Sequence, residues 1–398
     1  MHQMLAHLPR HRILPWLVTL LVACSGLKEF SPGPSDGGLA NDGGPLVDSG
    51  DSDASERPDG GDGAPVTCPS SDVRCNPETV VTGILSGGEL ATLGKKIAFR
   101  EHGKVDGGTF SRIRVFDPAG ACKVGSCLPT LAIGKNNYTL LAGSNAHLCH
   151  TSESGAVSPF ITCANAISLA DERTIPGETW FYQATFLDDD TLLYGAPLQQ
   201  AARAVRVVGA GTTNPPSTVI GPVASPIDFV VGQGTTPTPW FAWYEQGVRL
   251  AARTLSNPVP VEFNYQTEPI GLGVVGDQLV WASRESIHLS RFTSPGFGTP
   301  LPRSSFANCS GSTTEDYKMI TTTSDAIISI EGCNVPGSLG SVLVRNHPDG
   351  KPPVLLASVP TALTSAVVLG DYVYYTLGRI QSDLGSQPTE ELRRVRYR

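Results

Sequence analysis

The sequence predicts an all-β fold of seven repeated four-stranded units, and three observations predict it. A tight-turn signal followed by a short apolar strand recurs seven times, with its first apolar residue at Ile97, Leu148, Leu192, Phe241, Leu279, Ile327 and Val373. The six steps from Ile97 to Val373 average about 46 residues, the spacing of units that cannot cover both of their own apolar faces without neighbours. No stretch sustains a helical period with a capping residue. A seven-bladed β-propeller of antiparallel blades satisfies all three.

Each unit is expected to hold strands a to d. In the fifth they read Ile270 to Gly276, Leu279 to Ser283, Ile287 to Phe292 and Thr299 to Phe306. Val, Ile, Leu, Tyr and Trp concentrate in these runs, while Gly, Pro, Asn and Asp cluster between them. The seventh unit reaches only its third strand, Leu392 to Tyr397. Ahead of the first complete unit, Glu78 to Ser86 reads as a spare strand, expected to pair with the last blade and close the ring so that no edge is left open there.

The N-terminus reads differently. Arg10 and Arg12 precede an apolar run from Ile13 to Ala23 that is too short to span a bilayer and has the shape of an export signal. It ends in Leu21-Val22-Ala23-Cys24-Ser25, which resembles the lipobox of bacterial lipoproteins. The resemblance implies cleavage between Ala23 and Cys24, acyl chains on Cys24 as the one covalent group, and a membrane partner through that anchor. An ordinary secretory signal is the alternative. Ser25 beside the lipid site implies, by the enterobacterial sorting rule, the outer membrane of a Gram-negative envelope. The expected organisation is a signal peptide over 1–23, a lipidated Gly/Asp/Ser/Pro-rich tether over 24–66 and the propeller over 67–398.

The tether repeats Asp-Gly-Gly at Asp36, Asp42 and Asp59 and is too polar to bury a core, so a disordered spacer is expected. It carries nine acids against Lys28 and Arg57, which is most of the chain's formal net charge of −8. The ring is left close to neutral, which gives no reason to expect nucleic acid as a partner. Asp51-Ser52-Asp53 begins like a calcium loop, but Glu56 stands where such a loop needs glycine.

With Cys24 assigned to lipid, eight cysteines remain, an even number in a chain read as exported to an oxidising space. Nearest-neighbour pairing is expected: Cys68 with Cys75, Cys122 with Cys127, Cys149 with Cys163, and Cys309 with Cys333.

Several motifs invite a chemical reading and are outweighed by a structural one. Gly271-Leu272-Gly273-Val274-Val275-Gly276 matches a dinucleotide fingerprint in letters, yet it lies within a strand and leads into another strand where the fingerprint needs a helix. Small residues at the crowded centre of a ring account for it. Asp190, Asp277, Asp325 and Asp371 recur two residues before the marker, where Asp suits a tight turn; the position also takes Lys95. His147 and His150 fall on opposite faces of one strand, and a metal held by His147 with Cys149 would forfeit a disulfide, so no metal site is expected. Gly177-Glu178-Thr179-Trp180 resembles the tail of the Asp-box of sialidase propellers, with Arg173 and Ile175 in place of its Ser and Asp. Val373-Tyr374-Tyr375-Thr376-Leu377 resembles a degraded Tyr-Trp-Thr-Asp blade. Trp180, Trp240, Trp243 and Trp281 lie on or beside inner strands and are expected to pack between blades. No nucleophile elbow, zinc-protease motif or Walker loop occurs, and no catalytic residue is nominated.

The b-to-c connections are uneven, with long loops expected from Glu101 to Ser111, Glu331 to Gly340 and Leu377 to Glu390. Loop variation on a constant scaffold is how such rings acquire sites, so Arg100, Glu101, His102, Asp106, Glu331, Arg379 and Asp383 are the candidate binding face. Lipobox, linker and blade pattern together resemble the broad class of bacterial propeller lipoproteins, one branch of which assists outer-membrane barrel assembly. The functional expectation is an anchored scaffold that binds an envelope protein or glycan. An extracytoplasmic hydrolase or lactonase on the same ring is the alternative.

Overall fold

A computed structural model describes residues 77–398 apart from 86, 106–107, 120–129, 134–140, 153–159, 171–172, 176–182, 197–200, 208–216, 221–226, 233–239, 246–248, 255–260, 303–315, 336–337, 360–362 and 378–388. Among the described residues there is no helix. Seven four-stranded antiparallel sheets follow one another along the chain. Blade 1 is β2 (Gly87–Leu93), β3 (Lys96–Val105), β4 (Gly108–Phe116) and β5 (Thr130–Ile133). Blade 2 is β6 (Leu141–Gly143), β7 (His147–Ser152), β8 (Phe160–Asn165) and β9 (Arg173–Thr174). Blade 3 is β10 (Ala184–Phe186), β11 (Thr191–Ala196), β12 (Ala201–Arg206) and β13 (Ser217–Ile220). Blade 4 is β14 (Ile227–Gly232), β15 (Trp240–Glu245), β16 (Arg249–Thr254) and β17 (Val261–Phe263). Blade 5 is β18 (Gly271–Val275), β19 (Gln278–Ala282), β20 (Ile287–Arg291) and β21 (Ser294–Pro300). Blade 6 is β22 (Asp316–Thr322), β23 (Ile327–Val335), β24 (Ser338–Asn346) and β25 (Val354–Val359).

Blade 7 is built from both ends of the ring. β26 (Leu363–Leu369), β27 (Tyr372–Leu377) and β28 (Thr389–Arg396) supply three strands, and β1 (Glu78–Leu85) pairs antiparallel with β28 as the fourth. The expected closure is therefore present.

The core sits in the seams between blades, and this explains why the strands read as near-continuous apolar runs. In β19, Leu279 and Trp281 face blade 4, where they join Tyr244, Leu250 and Phe263. Val280 and Ala282 face the other way, onto Ile320 and Ile327 of blade 6. Both faces of each sheet are buried, so alternation with polar residues is lost. Each of the seven seams holds such an apolar cluster, including the closing one, where Val81, Ile84, Tyr374 and Leu392 meet Leu90, Ile97, Phe99 and Phe116. Fully burying one such aliphatic side chain stabilises by about 1.5–3 kcal/mol. Trp243 and Trp281 are buried in the seams flanking blade 4, as their placement predicts. The Trp240 side chain and Trp180 lie outside the described residues.

Two readings of the fifth unit change or sharpen. Its outer strand is Ser294–Pro300 rather than Thr299 to Phe306, because c and d are joined by a tight turn at Phe292 and Thr293. Ser-Pro-Gly-Phe-Gly-Thr-Pro has loop-like composition, but an outermost strand tolerates proline, having neighbours on one side only. Gly271 and Gly273 of the formal dinucleotide match pack against blade 6: a Cβ on Gly273 would lie 2.2 Å from Thr322 Cγ2. Gly276 closes the turn at φ +58°.

Candidate binding face

Strands alternate in direction within a blade, so every b-to-c connection emerges on one face of the ring and every a-to-b turn on the other. In five blades strand b stops three or four residues past its first apolar marker, at Ser152, Ala196, Glu245, Ala282 and Leu377. β3 and β23 continue to Val105 and Val335, eight residues past theirs. At about 3.3 Å per residue the two hairpins rise roughly 13 Å above the rest of the face. Blades 6, 7 and 1 are consecutive around the closed ring, sharing the seam clusters described above. The third connection expected to be long, in blade 7, falls on residues 378–388, outside the described residues.

The stretches expected as loops in blades 1 and 6 are thus mostly paired strand. Glu101 pairs with Arg112 in register and is 0% exposed; Glu331 pairs with Val342 and is 2% exposed. Both carboxylates, placed on the candidate binding face, are turned into the hairpin roots rather than out to solvent. Glu101 instead anchors the hairpin root. Arg112 donates from Nε to the Glu101 carboxylate, Arg114 Nη1 lies 3.7 Å from its other oxygen, and the Arg114 guanidinium sits over the Phe99 ring at 5.7 Å. Glu331 accepts from Ser329 Oγ at 3.0 Å, and Ser329 in turn accepts from Asn346 Nδ2 at 2.9 Å. Arg100 is half-buried and pairs in register with Ile113, a residue of the seam with blade 2. His102 belongs to β3, but its side chain is outside the described residues, as are Asp106, Arg379 and Asp383 entirely.

One expected disulfide is formed. Cys149 and Cys163 face each other across β7 and β8, with an S–S distance of 2.01 Å. Cys149 is therefore not available as a metal ligand. Cys24, Cys68, Cys75, Cys122, Cys127 and Cys309 lie outside the described residues, and of Cys333 only the backbone, within β23, is described.

The opposite face explains the arginines that end many c strands. Asp371 lies 3.4 Å from Arg396, and Asp190 lies 3.8 Å from Arg206; in both blades the arginine is in register with the residue after the aspartate. Asp325 takes Arg398 at 2.6 Å, a contact that holds its carboxyl below the usual range. Blades 2 and 3 are tied by Asn145 Nδ2 to Asp189 Oδ1 at 2.7 Å and by His147 Nε2 to Asp190 Oδ1 at 3.2 Å. These turn carboxylates are engaged by neighbouring side chains rather than gathered around a cation. No group of three or more potential metal ligands converges among the described residues.

Near the b-to-c end of blade 5, Ser286 Oγ lies 2.5 Å from His288 Nε2, and Ser283 Oγ is 3.1 Å from Ser286 Oγ. The His288 ring stacks on Trp281 at 5.6 Å, and burial lowers its pKa. Its Nδ1 has no hydrogen-bond partner, so no carboxylate orients the imidazole. The serines close the turn through the Glu285 and Ser286 amides, which donate to Ser283 Oγ at 3.3 and 3.1 Å.

No family model and no curated protein sequence matches the chain. Among solved structures, it is similar to the isopeptidase AtxE2 at 12% identity and a TM-score of 0.39, covering 77% of this chain. The match spans only 49% of the isopeptidase. YCF48 from Cyanidioschyzon merolae matches at 8% identity and a TM-score of 0.49 over 81% of this chain and 98% of that one. The propeller domain of the trilobed protease from Pyrococcus furiosus matches at 7% identity and a TM-score of 0.48, over 75% and 90% of the two chains.

Proposed function

We propose that the protein is a binding scaffold anchored to a bacterial envelope by lipid on Cys24, and that the face carrying the tall hairpins of blades 6 and 1 docks an envelope protein or glycan. The observation that carries this reading is the pair of tall hairpins on blades 6 and 1, which flank blade 7 on one side of one face. An asymmetric rim on a symmetric ring creates a concave edge, the shape that positions a macromolecular partner. The buried Glu101 cluster stiffens the root of one wall, which lowers the ordering cost of binding.

Photo-crosslinking in intact cells tests it. A crosslinking residue at Lys104 or Ser338 should capture a discrete partner that the same residue at Lys95, on the opposite face, does not. Equal capture from both faces would sink the assignment. Cys24→Ala should move the protein from the membrane to the soluble fraction while leaving the ring folded.

A hydrolytic reading has one observation in its favour, the Ser286–His288 hydrogen bond. Labelling by a fluorophosphonate that is lost in Ser286→Ala would replace the scaffold reading with this one.

A further inference from the structure

The seam between blades 1 and 2 is apolar over most of its area, with Ala91, Leu93, Ala98 and Ile113 against Leu141, Leu148 and Ala164. At its b-to-c end it is not. Glu89 of β2, in the register break between Gly87 and Leu90, reaches across the seam to accept a hydrogen bond from the Leu141 backbone. His150 of β7 is in register with Leu141 on one side and Thr162 on the other, so all three point into this seam. His150 is 3% exposed and neither ring nitrogen has a hydrogen-bond partner; the buried Thr162 Oγ1 has none either. The charged group acting on Glu89 is Arg100 of β3. From β4 the seam receives Ile113, and β3 continues to His102, whose side chain is outside the described residues.

A half-buried acid and a fully buried base therefore share a single joint, each held in its neutral form by its surroundings. Burial raises the Glu89 carboxyl from 4.5 to about 7, against the opposing pull of the Leu141 backbone and Arg100. Burial likewise lowers the His150 imidazole from 6.5 to about 4, against a smaller opposing pull from the Thr151 backbone. Both groups recover ordinary values when the joint opens to water.

We propose that Glu89 and His150 form a proton-balanced pair that makes the blade 1–blade 2 joint indifferent to pH. Closed, the pair holds one proton, on the carboxyl. Open, between the ordinary values of 4.5 and 6.5, it also holds one proton, on the imidazole. Opening breaks the carboxyl O–H and forms an imidazolium N–H, with solvent neither supplying nor taking a net proton. By linkage, a step with no net proton exchange has no pH slope. Each group alone would impose one. The raised carboxyl favours the closed joint at low pH, and this preference is lost as pH rises from 4.5 to about 7. The lowered imidazole favours the closed joint at high pH, and this preference is lost as pH falls from 6.5 to about 4. The two slopes cancel where they overlap.

Amide hydrogen exchange on the full-length protein, corrected for intrinsic chemical rates, tests this in β6 and β7. Wild-type protection should change less than about threefold between pH 4.5 and 6.5. Glu89→Gln should lose at least about tenfold protection as pH falls across that interval, and His150→Gln at least about tenfold as it rises, since one unbalanced proton is worth tenfold per pH unit. A sloping wild-type profile, or flat profiles in both variants, would overturn the pairing. Should either variant fail to fold, ring-labelled histidine NMR on the wild type decides. A His150 ring still neutral at pH 5 supports the pair, and one titrating near 6.5 refutes it.

Discussion

Glu78 and Arg394, 316 residues apart in the chain, sit opposite one another in register and join through a carboxylate–guanidinium contact of 2.7 Å. Their pairing is the visible end of the β1–β28 ladder, which also brings Val81 and Ile84 into the closing seam. The contact itself is worth little, because the Glu78 side chain is half exposed, and Glu78→Ala should cost under about 1 kcal/mol. Deleting residues 78–85 is different. It removes two fully buried aliphatics and leaves β28 with an open edge, so calorimetry should show a large fall in Tm together with a tendency to aggregate. An unchanged Tm would mean that the ladder does not hold the ring shut.

The Cys149–Cys163 bridge ties neighbouring strands with a sequence separation of 14. Closing a loop of that size stabilises by about 3 kcal/mol in the chain-entropy account. A Cys149→Ala/Cys163→Ala double variant should lose about that amount in denaturant titration. Adding reductant to the wild type should reproduce the loss, and reductant should have no further effect on the variant if no other bridge contributes.

Much of this architecture is legible in the chain because the period lives in turn chemistry. Gly276-Asp277 and Gly370-Asp371 mark hairpins, and the apolar residue that follows each is buried in a seam. The spare strand at Glu78 was legible for the same reason: Val81 and Ile84 are apolar with nothing local to cover them. Legibility fails where a strand leaves the seams. Beyond Glu101, β3 runs His102-Gly103-Lys104-Val105, a stretch without the apolar run that marks the seam strands. Asp106-Gly107 carries the composition of a two-residue hairpin turn and was the available clue. The buried carboxylates also had a signal. Glu101 and Glu331 each fall four residues past their markers, a shared blade position that composition alone does not flag. The polar end of the blade 1–blade 2 seam had none, since it assembles from a register break in β2 and from residues 61 positions apart.

Gly298 and Gly296 make a controlled pair on β21. A Cβ at Gly298 would fall 2.5 Å from Trp281 Cη2 and 2.7 Å from Cζ2, and the backbone there has φ +75°. At Gly296 a Cβ meets nothing within 4 Å. Gly298→Ala should therefore destabilise by more than about 1 kcal/mol, through both the left-handed backbone and displacement of the indole. Gly296→Ala should stay within about 0.5 kcal/mol. Trp281 fluorescence reads the difference directly, since only the first variant moves the ring.

Glu101 is where fold and proposed function meet. Removing its carboxylate leaves Arg112 and Arg114 without their shared counter-charge at the root of the β3–β4 hairpin. Breaking a buried pair from one side typically costs about 3–5 kcal/mol, and the partial exposure of Arg112 places Glu101→Ala toward the lower end of that range. The loss should be local before it is global. Exchange protection should fall first in β3 and β4, while β19 and β20 across the ring keep theirs. Under the scaffold reading, partner capture from Lys104 should drop in the same variant at temperatures where the ring remains folded. Uniform loss of protection across all blades would instead assign Glu101 to the stability of the whole ring.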